Sequence, residues 1–154
     1  MAYKFTVLIS FCCILSITAI AQNNNVSNDA EKEAVKAVIK KTFSAMIKSD
    51  TVLLKTCFAP GAILQIVQNQ KDSIIIRTRA AVDFISGIGK QVPGALDEKS
   101  FDEIIYVDRE LATAWAPYTF HLNGKFSHKG IDSFQFVKLK EGWKIQYLIY
   151  NMYQ

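Results

Sequence analysis

The chain has 154 residues, half of them hydrophobic, and carries 18 Lys and Arg against 14 Asp and Glu. A net charge of +4, without a basic stripe that is interleaved with aromatic residues, excludes the composition of a nucleic-acid-binding domain. The length corresponds to one domain, and the hydrophobic fraction is high enough for that domain to bury a core of its own.

The N-terminal segment, residues 1–21, has the features of a signal peptide. Lys4 supplies a positive charge, residues 5–20 are apolar apart from Ser and Thr, and Ala19 and Ala21 are the small residues that signal peptidase reads. The apolar run is about 16 residues long, whereas a helix needs roughly 20 to span a bilayer. We therefore predict cleavage before Gln22 and export to the periplasm or the medium, without a membrane anchor afterwards. An uncleaved anchor is the alternative.

The mature chain would consist of a polar leader, residues 22–28, and one domain, residues 29–154. Loss of Lys4 would leave 17 basic residues (18 less one) against 14 acidic ones, a net charge of +3. We expect the leader to be disordered after cleavage. Cys57 would be the only cysteine, and a lone cysteine cannot form an intrachain disulfide. The fold must therefore rest on its hydrophobic core.

The first half of the domain has mainly helical patterns. Asn28 can cap a helix whose apolar residues recur at helical spacing as far as about Lys48. Asp50 can cap a second, short helix, which Pro60-Gly61 would end. A third helix is predicted over residues 79–90.

The remaining segments have the composition and the turn residues of β-strands. Residues 62–68 and 73–78 predict a hairpin between the second and third helices. From Phe101 onward, four strands are predicted. The turns between these four strands are Arg109-Glu110, Asn123-Gly124 and Glu141-Gly142. This order indicates an α+β fold with the helices on one face of a curved antiparallel sheet.

Three of these segments together resemble the nuclear transport factor 2-like superfamily. "SDTVLLKTCFAPGAIL" fits the D-x-x-x-L-x-x-x-F-x-P-x-A-x-L pattern that joins its first helices to its first strand. "RTRAAVDFI" resembles the start of its third helix. "SHKGIDSFQFVKLKEGWKI" resembles the penultimate hairpin of the SnoaL-like and putative lumazine-binding branches. The resemblance extends from about Asp29 to Tyr150.

The resemblance implies a cone-shaped fold, in which three N-terminal helices pack on a strongly curved antiparallel sheet. It also implies an apolar pocket at the open end of the cone and frequent dimers through the outer face of the sheet. No catalytic residue of the superfamily carries over by motif, and similar cones host isomerases, dehydratases, cyclases and transport adaptors. The role of this chain therefore does not follow from the fold.

The strand that contains His128 and Asp132 is the predicted wall of the pocket. Phe134 and Phe136 have the same parity as these two residues, so their common face should point inward. His128, Asp132 and Phe134 are predicted to contact the ligand. Gly130 lies between His128 and Asp132 and leaves room for a bulge or for a ligand. In an acid–base site, His128 would be the general base or acid, and Asp132 would fix its tautomer. The alternative is a structural role, in which the two side chains satisfy one another or the backbone.

Four more residues are predicted to contact the ligand. Tyr118 would present its phenol to the pocket, with alanines on the same face of its strand leaving space beneath it. Arg77 ends its strand and could reach an anionic group at the mouth of the pocket. Trp143 and Tyr147, on the last strand, are expected to be core residues first and ligand contacts second.

Two features concern the partners of the domain. We predict a homodimer through the outer sheet face, because an antiparallel face this apolar is rarely left in contact with water. Trp115, Thr119, Ser133 and Gln135 would lie near the two-fold axis. No metal or other cofactor is expected, since His128 and Asp132 would supply only two ligands.

Three functions remain open from the sequence. The first is a binding domain for a small, largely apolar or aromatic molecule. The second is an acid–base enzyme of the isomerase, dehydratase or cyclase type, which would use His128 and Asp132, with Tyr118 polarising a carbonyl group. The third is a protein-interaction domain whose pocket is vestigial.

Overall fold

The structure is a computed structural model that describes residues 15–71 and 73–153, with side chains from residue 28 onward. Three helices are present in these residues: α1 (Leu15–Ile47), α2 (Thr51–Lys55) and α3 (Ala81–Ile88). The seven strands of the described residues are β1 (Phe58–Gln70), β2 (Ser73–Ala80), β3 (Leu96–Ser100), β4 (Ile104–Asp108), β5 (Leu111–Leu122), β6 (Lys125–Leu139) and β7 (Gly142–Asn151).

The seven strands form one curved sheet against which the helices pack. The strand order is β2-β1-β7-β6-β5-β3. Strand β4 pairs with the same edge of β5 as β3 does: β4 pairs with residues 111–115 and β3 with residues 118–122. Helix α1 packs against β3, β4 and β7, and α3 packs against β1 and β2. The predicted α+β fold with helices on one face is confirmed. The sheet is mixed rather than wholly antiparallel, because β1 and β7 pair in parallel.

Helix α1 begins earlier than predicted. It includes residues 22–27, and Asn28 is inside the helix rather than at its N-cap. Disorder of the leader after cleavage stays a prediction. The sequence has no Pro or Gly between Leu15 and Ile47, so nothing in it stops the helix in this segment. Residues 1–14 of the predicted signal peptide lie outside the described residues. Among the described residues, no helix is long and apolar enough to cross a membrane.

Helix α2 confirms one local prediction and corrects another. Asp50 is its N-cap, and the carboxylate accepts a hydrogen bond of 2.8 Å from the backbone N–H of Leu53. The helix ends at Lys55, before the predicted stop at Pro60-Gly61, because Phe58 already pairs with Ile145 of β7.

The predicted hairpins are confirmed. Gln70 pairs with Ser73 at the end of the β1–β2 hairpin, and Leu122 pairs with Lys125 in the β5–β6 hairpin. In the second hairpin, Asn123 and Gly124 have φ values of 52° and 75°. A two-residue turn of this kind requires positive φ at both positions, which Asn and Gly tolerate best.

Candidate functional site

An internal cavity of about 190 Å³ lies between the helices and the inner face of the sheet. Helices α1 and α3 form one wall, and strands β1, β3, β5, β6 and β7 form the other. The lining side chains are mostly aromatic or aliphatic: Thr42, Phe43, Met46, Phe58, Leu64, Phe84, Ile88, Leu96, Glu98, Tyr118, Phe120, His128, Asp132, Phe134, Leu148, Tyr150 and Met152. The cavity is therefore an apolar space that contains a small number of polar groups.

Alternation along β5 and β6 builds the sheet side of this cavity. Gly130, Asp132, Phe134 and Phe136 are buried and His128 is half-buried, which matches the predicted inward orientation of their face. On β5, every second residue from position 112 to 118 is buried, and the first three of them are alanines. The small alanine side chains leave space between the sheet and the helices, as the pattern predicted.

Asp132 is the most buried acid of the cavity, with 2% of its surface exposed. Its Oδ2 atom receives no hydrogen bond from any group in the described residues. The carboxyl group of Glu98, on β3, lies within hydrogen-bonding reach of the Asp132 carboxyl group. Two ionised carboxylates are both acceptors, so this contact requires a proton on one of them. Glu98 and Asp132 are called the carboxyl pair below.

Both members of the carboxyl pair have raised pKa values. Burial raises the pKa of Asp132 to about 7, although the hydrogen bond from Glu98 opposes the rise. Burial also raises the pKa of Glu98 well above its usual range, and the charge of Asp132 and the hydrogen bond between the two groups add to the effect. Glu98 is therefore the protonated partner, and its hydroxyl donates to Asp132. The two groups titrate as a unit.

His128 does not form the predicted pair with Asp132. Four residues along a strand span about 13 Å, so the two side chains share a face but are too far apart to touch. His128 Nδ1 lies 3.0 Å from Ser127 Oγ, and the imidazole stacks on Phe120 with ring centroids 4.9 Å apart. Burial lowers the pKa of His128, which favours the neutral imidazole. The partner of Asp132 is Glu98 instead.

Tyr118 lines the cavity, but its phenol proton already forms a hydrogen bond within the protein. The hydroxyl donates a 2.9 Å hydrogen bond to the backbone oxygen of Asn151, and burial, followed by the charges of the carboxyl pair, raises its pKa. A Cβ atom added to Gly130 would lie 2.8 Å from the Tyr118 ring and would clash with the backbone oxygen of Asn151. The space that Gly130 leaves is therefore filled by Tyr118 and not by a bulge or a ligand.

Tyr147 lies outside the cavity because β7 contains a bulge. Gln135 of β6 pairs with Tyr147, but the next residue, Phe136, pairs with Ile145, so one extra residue of β7 reverses the alternation. The Tyr147 phenol donates a 2.6 Å hydrogen bond to Gln65, and Tyr150 enters the cavity lining instead. Burial raises the pKa of Tyr150.

Arg77 and Trp143 also do not line the cavity. Arg77 is exposed on β2 and lies opposite Ile66 of β1. Trp143 is buried in the core, where its Nε1 donates a 2.7 Å hydrogen bond to Glu31. Of the residues predicted to contact a ligand, the structure places Tyr118, His128, Asp132 and Phe134 around the cavity.

Glu98 is the site residue that the sequence did not single out. It lies in the segment "ALDEKS", which has three charged residues in a row and which we had not predicted to be a strand. The alternation of Leu96, Glu98 and Ser100 was the only available signal, and a run of this kind is more typical of a loop. No group of three or more metal-ligating side chains is present among the described residues.

Comparisons with known proteins agree with this architecture. A family model described as "Putative lumazine-binding" matches residues 30–151. A nuclear transport factor 2-like protein of unknown function from Shewanella baltica OS155 is 16% identical and superposes with a TM-score of 0.64, over 81% of this chain and 95% of that chain. No curated protein matches the chain.

Two more solved structures have the same fold. A nuclear transport factor 2-like protein with a cystatin-like fold, from Novosphingobium aromaticivorans, is 12% identical, with a TM-score of 0.65 over 93% of this chain and 92% of that chain. A nuclear transport factor 2-like superfamily protein from Salmonella enterica is 18% identical, with a TM-score of 0.64 over 82% of this chain and 93% of that chain. The chain therefore has the nuclear transport factor 2-like fold and belongs to the Putative lumazine-binding family.

Proposed function

We propose that this chain is a small-molecule-binding domain whose cavity holds one compact, largely apolar or aromatic molecule. The observation that carries the proposal is a 190 Å³ cavity that is lined mostly by apolar side chains. An apolar cavity of about 150 Å³ takes up benzene, so this one has the size for a ligand of one or two rings. The description of the family, which names lumazine, supports a ring compound as the ligand.

Toluene binding tests the proposal. We expect toluene to bind the wild-type protein in calorimetry and in ligand-observed NMR. Leu96→Trp places a large side chain in the cavity wall and should abolish binding. Leu139→Trp, at an exposed position at the end of β6, is the matched control and should bind toluene as the wild type does. Equal binding by both variants, or no binding by the wild type, would contradict the proposal.

An acid–base enzyme of the isomerase, dehydratase or cyclase type is the second candidate. The observation that favours it is the carboxyl pair, because two carboxyl groups with raised pKa values can hold and return a proton near neutral pH. Asp132 and Glu98 would carry the proton, rather than His128 and Asp132. Deuterium incorporation from D₂O into a molecule recovered with the native protein, lost in Asp132→Asn, would support catalysis. Absence of incorporation would leave binding as the function.

We also infer that the domain is exported and that it forms a homodimer through its outer sheet face. Trp115 is 51% exposed on that face, and its cross-strand neighbour Ile104 is exposed as well. Light scattering should give a dimer, and Trp115→Lys should give a monomer. A monomeric wild type at micromolar concentration would contradict the dimer. N-terminal mass analysis should find Gln22 as the first residue, and retention of Met1 would contradict export.

The protein-interaction domain with a vestigial pocket is less well supported. A vestigial pocket would be filled by side chains, whereas this cavity is open and has a buried carboxyl group without a donor at Oδ2 of Asp132.

A further inference from the structure

The carboxyl pair lacks the basic partner that buried acids usually have. No Lys or Arg belongs to the cavity lining in the described part of the chain, and the one imidazole, His128, is kept neutral by burial. Asp132 lines the cavity, and its Oδ2 atom is buried without a hydrogen-bond donor from the described residues. Buried polar groups in native proteins nearly always have a partner. The missing donor is therefore a group that a ligand can supply.

The walls around the carboxyl pair suit a positive charge. Phe43, Phe120 and Phe134 contribute aromatic rings to the lining, together with the rings of Tyr118 and Tyr150. The face of an aromatic ring is negative and attracts a cation, most strongly where water is excluded. An anion would be repelled by Asp132, and a neutral hydrocarbon would leave its Oδ2 atom unsatisfied.

We propose that the ligand is an organic cation, namely a protonated amine or amidine attached to one or two rings. One N–H group would donate to the Asp132 carboxylate, and a second would donate to the carbonyl oxygen of Glu98, which keeps its proton and donates to Asp132. The ring would pack among the aromatic side chains. This inference rests on the proposed binding function and adds the chemical class of the ligand.

The charges balance in this arrangement. Below its pKa, Asp132 loses its proton to solvent when the cation binds, and above that pKa it is already ionised, so that no proton is released. One carboxylate then faces one cation, so the occupied cavity is neutral. Hydrogen bonds between ionised partners are about twice as strong as neutral ones, and burial strengthens them further.

Binding should depend on pH in a defined direction. A proton on Asp132 competes with the cation, so affinity should rise as pH increases through the pKa of Asp132, about 7, and then level off. Tyr118 and Tyr150 face the pair from β5 and β7, and their raised pKa values keep them uncharged in this range. The charge of Arg79, on β2, also acts on Tyr150. The titrating groups that remain are therefore the carboxyl pair and His128.

Protonation of His128 in acid would repel the cation and change affinity in the same direction as protonation of Asp132. The variant His128→Gln separates the two effects. We expect it to keep the rise in affinity between about pH 5 and 8, whereas Asp132→Asn should remove it.

Three probes of nearly equal shape test the charge of the ligand: benzamidine, benzamide and benzoate, which are cationic, neutral and anionic. In calorimetry near pH 8, the wild type should bind benzamidine at least about tenfold more tightly than benzamide, and benzoate least tightly. Asp132→Asn should lose this preference, whereas Glu98→Gln, whose amide keeps a donor for Asp132 and a carbonyl oxygen for the cation, should retain it. Glu110→Gln, in the exposed turn between β4 and β5, is the control and should keep it.

The outcomes distinguish this inference from the proposed function. Benzamide binding as tightly as benzamidine, or an unchanged preference in Asp132→Asn, would overturn the cation proposal while toluene binding stands. A benzamidine affinity that does not rise with pH would also overturn it. Failure of the wild type to bind toluene and all three probes would overturn both proposals.

Discussion

Two groups of carboxyl side chains in this protein have opposite electrostatic environments. Glu31, on α1, accepts hydrogen bonds of 2.6 Å from Lys138 and 2.7 Å from Trp143, and these hold its pKa below the usual value. Glu98 and Asp132 in the cavity have only one another, and both pKa values are raised. Glu31 therefore has hydrogen-bond donors from basic and aromatic side chains, whereas the carboxyl pair has none.

Glu103 shows that burial alone does not make this difference. Its side chain is only 5% exposed, although the residue as a whole is less buried than Asp132. Burial by itself would raise the pKa of Glu103, but hydrogen bonds from Ser100 at 2.6 Å and Lys36 at 3.1 Å outweigh it and lower the pKa. A carboxyl group with a structural role receives hydrogen bonds from other residues of the chain. A cavity carboxyl group without such donors can bind a ligand instead.

The largest expected effect is on the pH dependence of stability. A carboxyl group whose pKa is raised by folding binds its proton more tightly in the native state, so the free energy of unfolding falls as pH rises from the unfolded to the folded pKa. For Asp132 this window extends from 3.8 to about 7. The loss across it is at most about 4 kcal/mol, at roughly 1.4 kcal/mol per pKa unit. Asp132→Asn should flatten the decline in urea unfolding curves measured at several pH values.

Glu103, which has hydrogen-bond donors, should affect the pH dependence of stability in the opposite direction and serves as the control. The pKa of Glu103 is lowered by folding, so its contribution is present above the usual carboxyl pKa and disappears as pH falls below it. Glu103→Gln should therefore leave the decline between about pH 4 and 7 in place. A wild-type protein that is equally stable across that window would contradict the assignment of a raised pKa to the carboxyl pair.

A smaller effect is expected from Gly130→Ala, which disrupts the wall beside the carboxyl pair. The new methyl group would collide with the Asn151 carbonyl and with the Tyr118 ring, whose hydroxyl is bound to that same carbonyl. We expect a loss of about 3 kcal/mol, the upper end of the usual cost of overpacking.

Gly87→Ala is the matched control for this substitution. Gly87 lies in α3, and an added Cβ would meet only the Arg79 side chain, at 4.0 Å. We expect it to be neutral or to stabilise the helix by up to about 1 kcal/mol. Equal melting temperatures for the two variants would show that Tyr118 does not pack tightly on Gly130.

The smallest expected effect concerns the paired carboxylate of Glu31. Glu31→Ala leaves the Nε1–H of buried Trp143 without an acceptor, which should cost about 1–2 kcal/mol in thermal unfolding. Glu31→Gln keeps an acceptor for Trp143 and loses only the half-exposed ion pair with Lys138, so its cost should be at most about 1 kcal/mol. If the two variants lost equal stability, the ion pair rather than the Trp143 hydrogen bond would hold this end of the sheet to α1.

Local patterns predicted most of the elements around the cavity. The Asp50 cap, the β5–β6 turn at Asn123-Gly124 and the inward face of β6 each depend on residues close together in sequence, and all three appear in the structure. The boundary of α1 was not predictable in the same way, because a possible N-cap at Asn28 does not stop a helix that no residue breaks.

Local sequence patterns did not predict the contact between Glu98 and Asp132. Asp132 was selected correctly as a cavity residue, but it was assigned to His128, its neighbour in sequence on the same face. Its actual partner comes from β3, which lies on the far side of β5 from β6. Only the curvature of the sheet brings these two side chains together across its inner face.

The amino-acid sequence by itself determined the order of the three helices and of six of the seven described strands, the hairpin turns and the faces of β5 and β6, because turn chemistry and the two-residue period of a strand are local properties. The tertiary structure decided which side chains meet. One extra residue in β7 turned Tyr147 outward and Tyr150 inward, and strand pairing placed Glu98 beside Asp132. Bulges and contacts between distant strands depend on how the whole sheet packs against the helices, and no short segment encodes them.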